Sequence, residues 1–171
     1  MSHPFDCLPI DQTSRASLMF TPCPGTKGES LQESLETLKN AGATALITLM
    51  PASELITHQA QALGEYCQAT GLAWFHCPIE DDHAPQADFA EAWQLVGPIV
   101  HQMLSDGKTV AIHCKGGSGR TGLMASQILV ERGQDKSSVK SKIQTLRPYA
   151  LTLAPHLAYF NNLTSIETAT F

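Results

Sequence analysis

The segment His113-Cys114-Lys115-Gly116-Gly117-Ser118-Gly119-Arg120-Thr121-Gly122 constrains this chain more than any other. It follows the apolar run Thr109-Val110-Ala111-Ile112 and precedes the helix-forming Leu123-Met124-Ala125-Ser126. Four glycines in ten residues free the backbone to turn consecutive N–H groups inward, the geometry of an anion nest. A strand that feeds through such a loop into a helix N-terminus is α/β architecture, and it offers a negative group both the loop amides and the helix dipole. The chain as a whole is acidic, with 11 basic and 16 acidic residues and a net charge of −5. An anion must therefore be held locally, against the overall field. Non-specific nucleic-acid binding, which needs the opposite balance, is not expected.

Three chemistries compete for the loop. Gly117, Gly119 and Gly122 spell GxGxxG, but a dinucleotide site needs an acidic residue about 20 positions on, at the end of a second strand. Lys140, Ser141 and Lys142 stand there instead. A phosphate loop of the full Gly-x4-Gly-Lys-Ser/Thr type is absent: Gly107-Lys108-Thr109 has Gln102, not glycine, five positions before Gly107. A merely structural turn around a buried thiol leaves Lys115 and Arg120 unexplained. The third reading accounts for every residue. His-Cys, five residues, then Arg-Thr is what phosphoryl transfer to sulfur requires. Cys114 at the strand's carboxyl end faces the helix N-terminus, which favours the thiolate over the thiol. Arg120 grips two phosphate oxygens with its planar fork. The Thr121 hydroxyl bonds the sulfur as it departs, and the cradle is lined by His113, Lys115, Gly116, Gly117, Ser118 and Gly119. No metal ion or other cofactor is expected, because the guanidinium and the amides carry the charge.

Expulsion of an alkoxide or phenoxide needs a proton donor opposite the nucleophile, on a loop able to close over the substrate. The acidic loop Pro78-Ile79-Glu80-Asp81-Asp82-His83-Ala84-Pro85 follows a predicted strand. Parallel neighbours would bring it to the same sheet edge as Cys114. Asp81 is the first choice for the acid, Asp82 its rival and Glu80 a more distant one; a solvated acidic loop is the bland alternative.

The elements alternate along one expected domain, residues 1–171. Strands are predicted at Ser17–Thr21, Ala43–Met50, Leu72–Cys77 and Lys108–His113. Helices are predicted at Glu29–Ala41, from a Ser53 cap with a break to Thr70, at Ala87–Asp106 with a kink at Gly97-Pro98, at Thr121–Arg132, and over 135–147 and 154–166. The expected fold is a compact α/β domain: a mostly parallel central sheet flanked by helices, with several C-terminal helices packed on one face. The longest weakly polar stretch, Ala41 to Ala52, is too short to span a membrane. The start MSHPFDCLPIDQ has none of the features of a secretory leader. Five irregularly spaced cysteines fit reduced thiols. The expected location is therefore cytoplasmic, without membrane insertion.

HCKGGSGRTG resembles the active-site loop of the protein tyrosine phosphatase superfamily, in its compact dual-specificity branch. More closely, the chain resembles the cyclin-dependent-kinase-associated phosphatase family, through Phe20 to Lys27, Leu38 to Gly42, Pro78 to Asp81, the phosphate loop, and the tail from Leu146 to Leu163. The resemblance implies a cysteine nucleophile at Cys114, a phosphate-binding Arg120 and an acid at Asp81. It implies hydrolysis of phosphotyrosine, extending to phosphoserine and phosphothreonine, on a phosphorylated protein or a small phosphomonoester. Two positions depart from the family pattern. Lys115 stands where many protein phosphatases have a small or neutral residue and lipid phosphatases have Lys, which keeps a phosphoinositide or inositol-phosphate substrate open as the alternative. His156 stands near a Gln of the lipid enzymes that positions water; a plain helix-face role is the simpler reading. A phosphate-binding partner module without turnover is the third possibility. Arg147-Pro148 is expected to tie loops near the phosphate site. The sequence leaves the oligomeric state open.

Overall fold

Successive residues of a strand face opposite sides of a sheet, and in the central strands of this chain both sides are apolar, so helices must cover both. The computed structural model describes residues 2–166; Met1 and residues 167–171 of the expected domain lie outside the described residues. Its five strands are β1 (Asp6–Pro9), β2 (Ser17–Thr21), β3 (Ala43–Thr48), β4 (Ala73–His76) and β5 (Thr109–His113). They lie in the order β1-β2-β5-β3-β4. β5 is central and runs parallel to β2 and β3, and β4 runs parallel to β3. Leu18, Phe20, Ala45, Ile47, Val110 and Ile112 face one apolar layer. The intervening Met19, Leu46 and Ala111 face the other.

The smaller layer is closed by α1 (Leu31–Asn40), α2 (Ala52–Thr57) and α3 (Leu63–Thr70), through Leu35, Leu38, Leu55, Leu63 and Cys67. The larger is closed by α4 (Ala87–Ser105), α5 (Gly119–Glu131), α6 (Lys136–Leu146) and α7 (Ala154–Asn161). Phe89, Trp93, Leu123, Ile128, Val139, Ile143 and Phe160 supply its core. The C-terminal helices thus share one face of the sheet, as expected. α5 is buried on every side, from Arg120 to Glu131.

Several boundaries differ from the sequence reading, each for a local reason. Ser53 does not cap α2. It is the second helical residue, and Pro51, with no amide hydrogen to satisfy, is the N-cap. α1 starts at Leu31 because Ser30 and Glu33 form a reciprocal capping box. α4 runs unbroken through Pro98. α7 stops at Asn161 rather than 166, and the chain beyond it turns so that the Ile166 amide donates to the Glu131 carbonyl at the end of α5, at 3.0 Å. β1 is an antiparallel edge strand that the sequence reading did not contain. Among the described residues no helix is long and apolar enough to cross a membrane.

The buried flanks of α5 leave no room at Gly122. A Cβ there would come 2.6 Å from the Ala150 Cβ and 3.2 Å from the Ile143 Cγ2. Gly122→Ala is therefore expected to destabilise the fold by about 1–3 kcal/mol through overpacking, despite the better helix propensity of alanine. Urea unfolding of the two proteins checks this.

Candidate active site

In a parallel sheet the loops that leave the carboxyl ends of the strands collect on one edge. Here Thr21, His113, Thr48 and His76 end their strands in register. The ladder continues past them: the Leu49 amide donates to the His113 carbonyl at 3.1 Å, the Cys77 amide to Thr48 at 2.9 Å and the Ile79 amide to Leu49 at 2.7 Å. Four loops are thereby fixed side by side, after β2, β5, β3 and β4.

The loop after β5 curls around the sulfur of Cys114. The Gly117 amide donates to Sγ at 3.3 Å and the Thr121 hydroxyl at 3.2 Å. Gly117 has φ +78°, and a Cβ on it would lie 2.6 Å from the Thr21 backbone, so both strain and contact require glycine there. The Cys23 amide donates to the Lys115 carbonyl at 3.0 Å and stitches the loop to its neighbour after β2. Arg147 donates through Nε to the Gly117 carbonyl and through Nη1 to Asp6, both at 2.9 Å. This is the tie expected of it, and it reaches β1 as well. Cys114 is only 4% exposed, at the floor of a cleft of about 300 Å³. Lys115, Gly116, Ser118, Gly119, Arg120, Asp81, Asp82, Leu153 and His156 are also on its walls.

His113 stands behind the loop, fully buried. Its Nδ1 faces the Cys114 carbonyl at 2.9 Å and so carries the proton; Nε2, 2.8 Å from Thr48 Oγ1, then accepts from that hydroxyl. The Trp74 indole in turn donates to the same oxygen at 2.7 Å. Burial pushes the His113 pKa down to about 4, the Cys114 carbonyl working the other way. The imidazole is therefore neutral at pH 7. Burial also pushes the Cys23, Cys67 and Cys77 thiols up to about 12, so these are inert core groups.

Arg120, 3% exposed, joins three of the four loops. Nη1 donates to Glu54 Oε1 and to the Ile79 carbonyl, both at 2.9 Å, and Nη2 donates to Glu54 Oε2 at 2.8 Å. Asp81 Oδ1 lies 3.4 Å from Nη2. Burial works against the charge, but Glu54, Cys114 and Asp81 outweigh it and hold the Arg120 pKa above the ordinary arginine value. A guanidinium has five donors in a fixed fork. With three of them spent on Glu54 and Ile79, the Nε–Nη2 edge is left to meet an oxyanion. Glu54 was missed by the sequence reading. The one trace of it in the sequence, a carboxylate in the first turn of the helix after another strand of the same sheet, is too common to single it out.

Asp81 and Asp82 occupy the middle of a turn closed by the His83 amide and the Glu80 carbonyl at 3.1 Å. The Asp81 side chain is 69% exposed, over the cleft, and Asp82 has φ +61°. His156 is 2% exposed, and its Nε2 donates to the His83 carbonyl at 3.0 Å. It is thus a cleft residue, not a solvent-facing one. Burial lowers its pKa from the usual histidine value.

Comparison with known proteins identifies a family and a fold. A family model described as "Polymorphic toxin system, DSP-PTPase phosphatase" matches residues 24–134. The chain is 29% identical over 118 residues to the Rattus norvegicus protein named cyclin-dependent kinase inhibitor 3, covering 69% of this chain and 54% of the relative. It therefore spans about half the length of that curated relative. The fold is similar to that of kinase associated phosphatase, solved with its catalytic-site cysteine substituted by serine, with a TM-score of 0.83 at 20% identity over 94% of this chain and 93% of the other. It is also similar to PTPMT1, solved in complex with PI(5)P, with a TM-score of 0.62 at 14% identity over 92% and 93%.

Glu54→Ala strands a buried guanidinium without its bidentate partner, and a loss of about 3 kcal/mol in unfolding free energy is expected, measured by chemical denaturation. His113 sets an acid limit. Its folded pKa lies below the unfolded value, so its contribution to stability is full above about pH 6.5 and is lost as pH falls towards 4. The loss amounts to roughly 3 kcal/mol. Against wild type, His113→Asn should flatten the acid limb of the stability–pH curve by about that amount.

Proposed function

The chain belongs to the DSP-PTPase phosphatase family of polymorphic toxin systems, and from that premise we propose that it hydrolyses phosphate monoesters through a thiophosphate on Cys114. The observation that carries the reading is the sulfur itself. It sits at the bottom of a cleft, accepts two hydrogen bonds from Gly117 and Thr121, and shares the cleft with a guanidinium whose outer edge meets Asp81 only at 3.4 Å. Donors aimed at sulfur favour it as the nucleophilic anion.

The cycle has two displacements. A phosphate monoester enters with its oxygens on the loop amides and on the Nε–Nη2 edge of Arg120. Taking that edge separates Asp81 from the guanidinium and leaves its carboxyl group over the ester oxygen. Sγ forms the S–P bond as the P–O ester bond breaks, and Asp81 passes its proton to the leaving oxygen. Water then attacks phosphorus while the ionised Asp81 takes its proton. The S–P bond breaks, the electron pair returns to sulfur and the Thr121 hydroxyl bonds the departing thiolate. The amides and Arg120 stabilise the charge that builds on the equatorial oxygens in both steps.

Phosphotyrosine, phosphoserine and phosphothreonine on a protein, or a small phosphomonoester, are the substrates in this reading. Lys115 on the cleft wall favours a second one. Its ammonium adds a charge suited to a substrate with more than one phosphate, as in an inositol-phosphate head group. Comparing Lys115→Ala with wild type on phosphopeptides and on soluble inositol phosphates separates the two: a loss confined to the poly-anion supports the second.

Cys114→Ser is expected to abolish turnover of an aryl phosphate, with the burst of phenol in rapid-mixing experiments lost as well. Asp81→Ala should lower kcat by about 10²–10⁴-fold and more for poor leaving groups than for good ones. An equal loss in Asp82→Ala with Asp81→Ala active would transfer the acid role to the neighbour.

A further inference from the structure

The turn that carries Asp81 is lightly built. Its base is secure, since Ile79 is buried and bonded to both Leu49 and Arg120. Beyond Ile79 the chain turns through Glu80, Asp81, Asp82 and His83, all exposed. Within the turn the His83 Nδ1–H donates to the Asp81 carbonyl at 2.7 Å. Asp82 adopts φ +61°, a left-handed conformation that an L-residue takes up against its preference. Two side chains from elsewhere in the protein make polar contacts with this turn. One is Arg120, at 3.4 Å from Asp81, and a bound phosphate would take that contact away. The other is His156, whose Nε2–H holds the His83 carbonyl at 3.0 Å.

His156 is suited to persist as an anchor. It sits in the first turn of α7, 2% exposed. Its ring packs over the phosphate loop, with Cε1 3.8 Å from where a Cβ on Gly119 would be. Because burial lowers its pKa, the ring is neutral at pH 7, with its one proton on the nitrogen that faces the carbonyl.

We propose that His156 is a positioning residue for the acid turn: it pins the His83 carbonyl and thereby keeps Asp81 above Cys114 once phosphate has claimed Arg120. This rests on the phosphatase reading and adds to it a part of α7. The rival role, a direct action of the His156 ring on the attacking water, makes a different prediction and is separated by the test.

The experiment is a double-mutant cycle on the full chain, with an aryl phosphate of poor leaving group as substrate. His156→Leu is expected to lower kcat by about 10–10²-fold, a part of the 10²–10⁴-fold that a general acid contributes, and His156→Gln, which keeps an N–H donor, should recover most of it. Competitive inhibition by inorganic phosphate should stay within about twofold, because the loop and Arg120 are untouched. The Asp81→Ala/His156→Leu double variant should be no slower than Asp81→Ala alone, since His156 acts through Asp81. Additive losses would overturn the proposal, because His156 would then act independently of Asp81, and an unchanged kcat in His156→Leu would overturn it outright. His156→Phe keeps the ring volume and serves where the leucine variant does not fold. A second readout needs no turnover. Hydrogen exchange of the His83 amide should rise about tenfold or more in His156→Phe while core amides stay protected. Unchanged exchange refutes the anchor, whereas a wild-type protein with an anchored turn but no turnover refutes only the phosphatase reading.

Discussion

A guanidinium that is 3% exposed has to be surrounded by acceptors, and the ones that surround Arg120 come from different loops. Glu54 follows β3, Ile79 and Asp81 follow β4, and Arg120 itself follows β5. An unpaired buried charge costs several kcal/mol, so the three loops cannot separate without a large penalty. The same residue that would bind phosphate is thus the bolt that assembles the cleft. Its fork is divided accordingly. The end that meets Glu54 and Ile79 is structural, and the edge bordered by Asp81 is left for a ligand. Lysine, with three donors on one nitrogen and no fixed plane, could not serve both.

This arrangement also resolves the conflict between an acidic chain and an anionic ligand. The net charge is −5, yet the cleft is lined by Arg120, Lys115 and Gly119 at the start of α5. Their effect is short-ranged and strong because water is largely excluded there. Glu54 does not cancel it, since it occupies the far end of the fork. The neutral form of His113 matters for the opposite reason. It lies directly behind Cys114, and as a donor to the Cys114 carbonyl and an acceptor from Thr48 it fixes the loop's first peptide without placing a second buried charge beside Arg120.

The parts legible in the sequence are those where local chemistry and tertiary role coincide. β5, the phosphate loop and α5 could be read together because glycine spacing, an apolar run and a Cys–Arg pair all demand the same strand–loop–helix. The parallel sheet followed from alternation of apolar strands with helices. β1 was illegible because Asp-Cys-Leu-Pro has no alternating pattern and its residues are mostly exposed; its pairing depends on the hairpin turn in which Asp11 accepts from the Thr13 and Ser14 amides. Glu54 was illegible for a different reason. A carboxylate in the first turn of a helix is ordinary at sequence level, and only the juxtaposition of two strand ends turns it into the partner of Arg120, 66 residues away in the chain. His156 was weighed as a helix-face residue because its single informative contact is with a backbone carbonyl, which leaves no mark on the sequence.

The floor and the roof of the cleft are built to different standards. The floor is overdetermined: Gly117 lies so close to the Thr21 backbone that no side chain fits, Arg147 and Cys23 bond the loop from outside, and the strand ladders extend beneath it. A hole for a developing oxyanion needs that rigidity, because donors that must first reorganise lose much of their effect. Beyond Ile79 the polar contacts that tie the roof to the rest of the protein include His156 and Arg120, the latter at 3.4 Å through the edge proposed to bind the ligand. An acid that has to admit a substrate, give up a proton, accept one from water and then let phosphate leave is served by a segment of low local stability. The unequal distribution of hydrogen bonds between the two sides matches the two halves of the proposed cycle, with strict geometry where charge would develop and looser attachment where groups would pass.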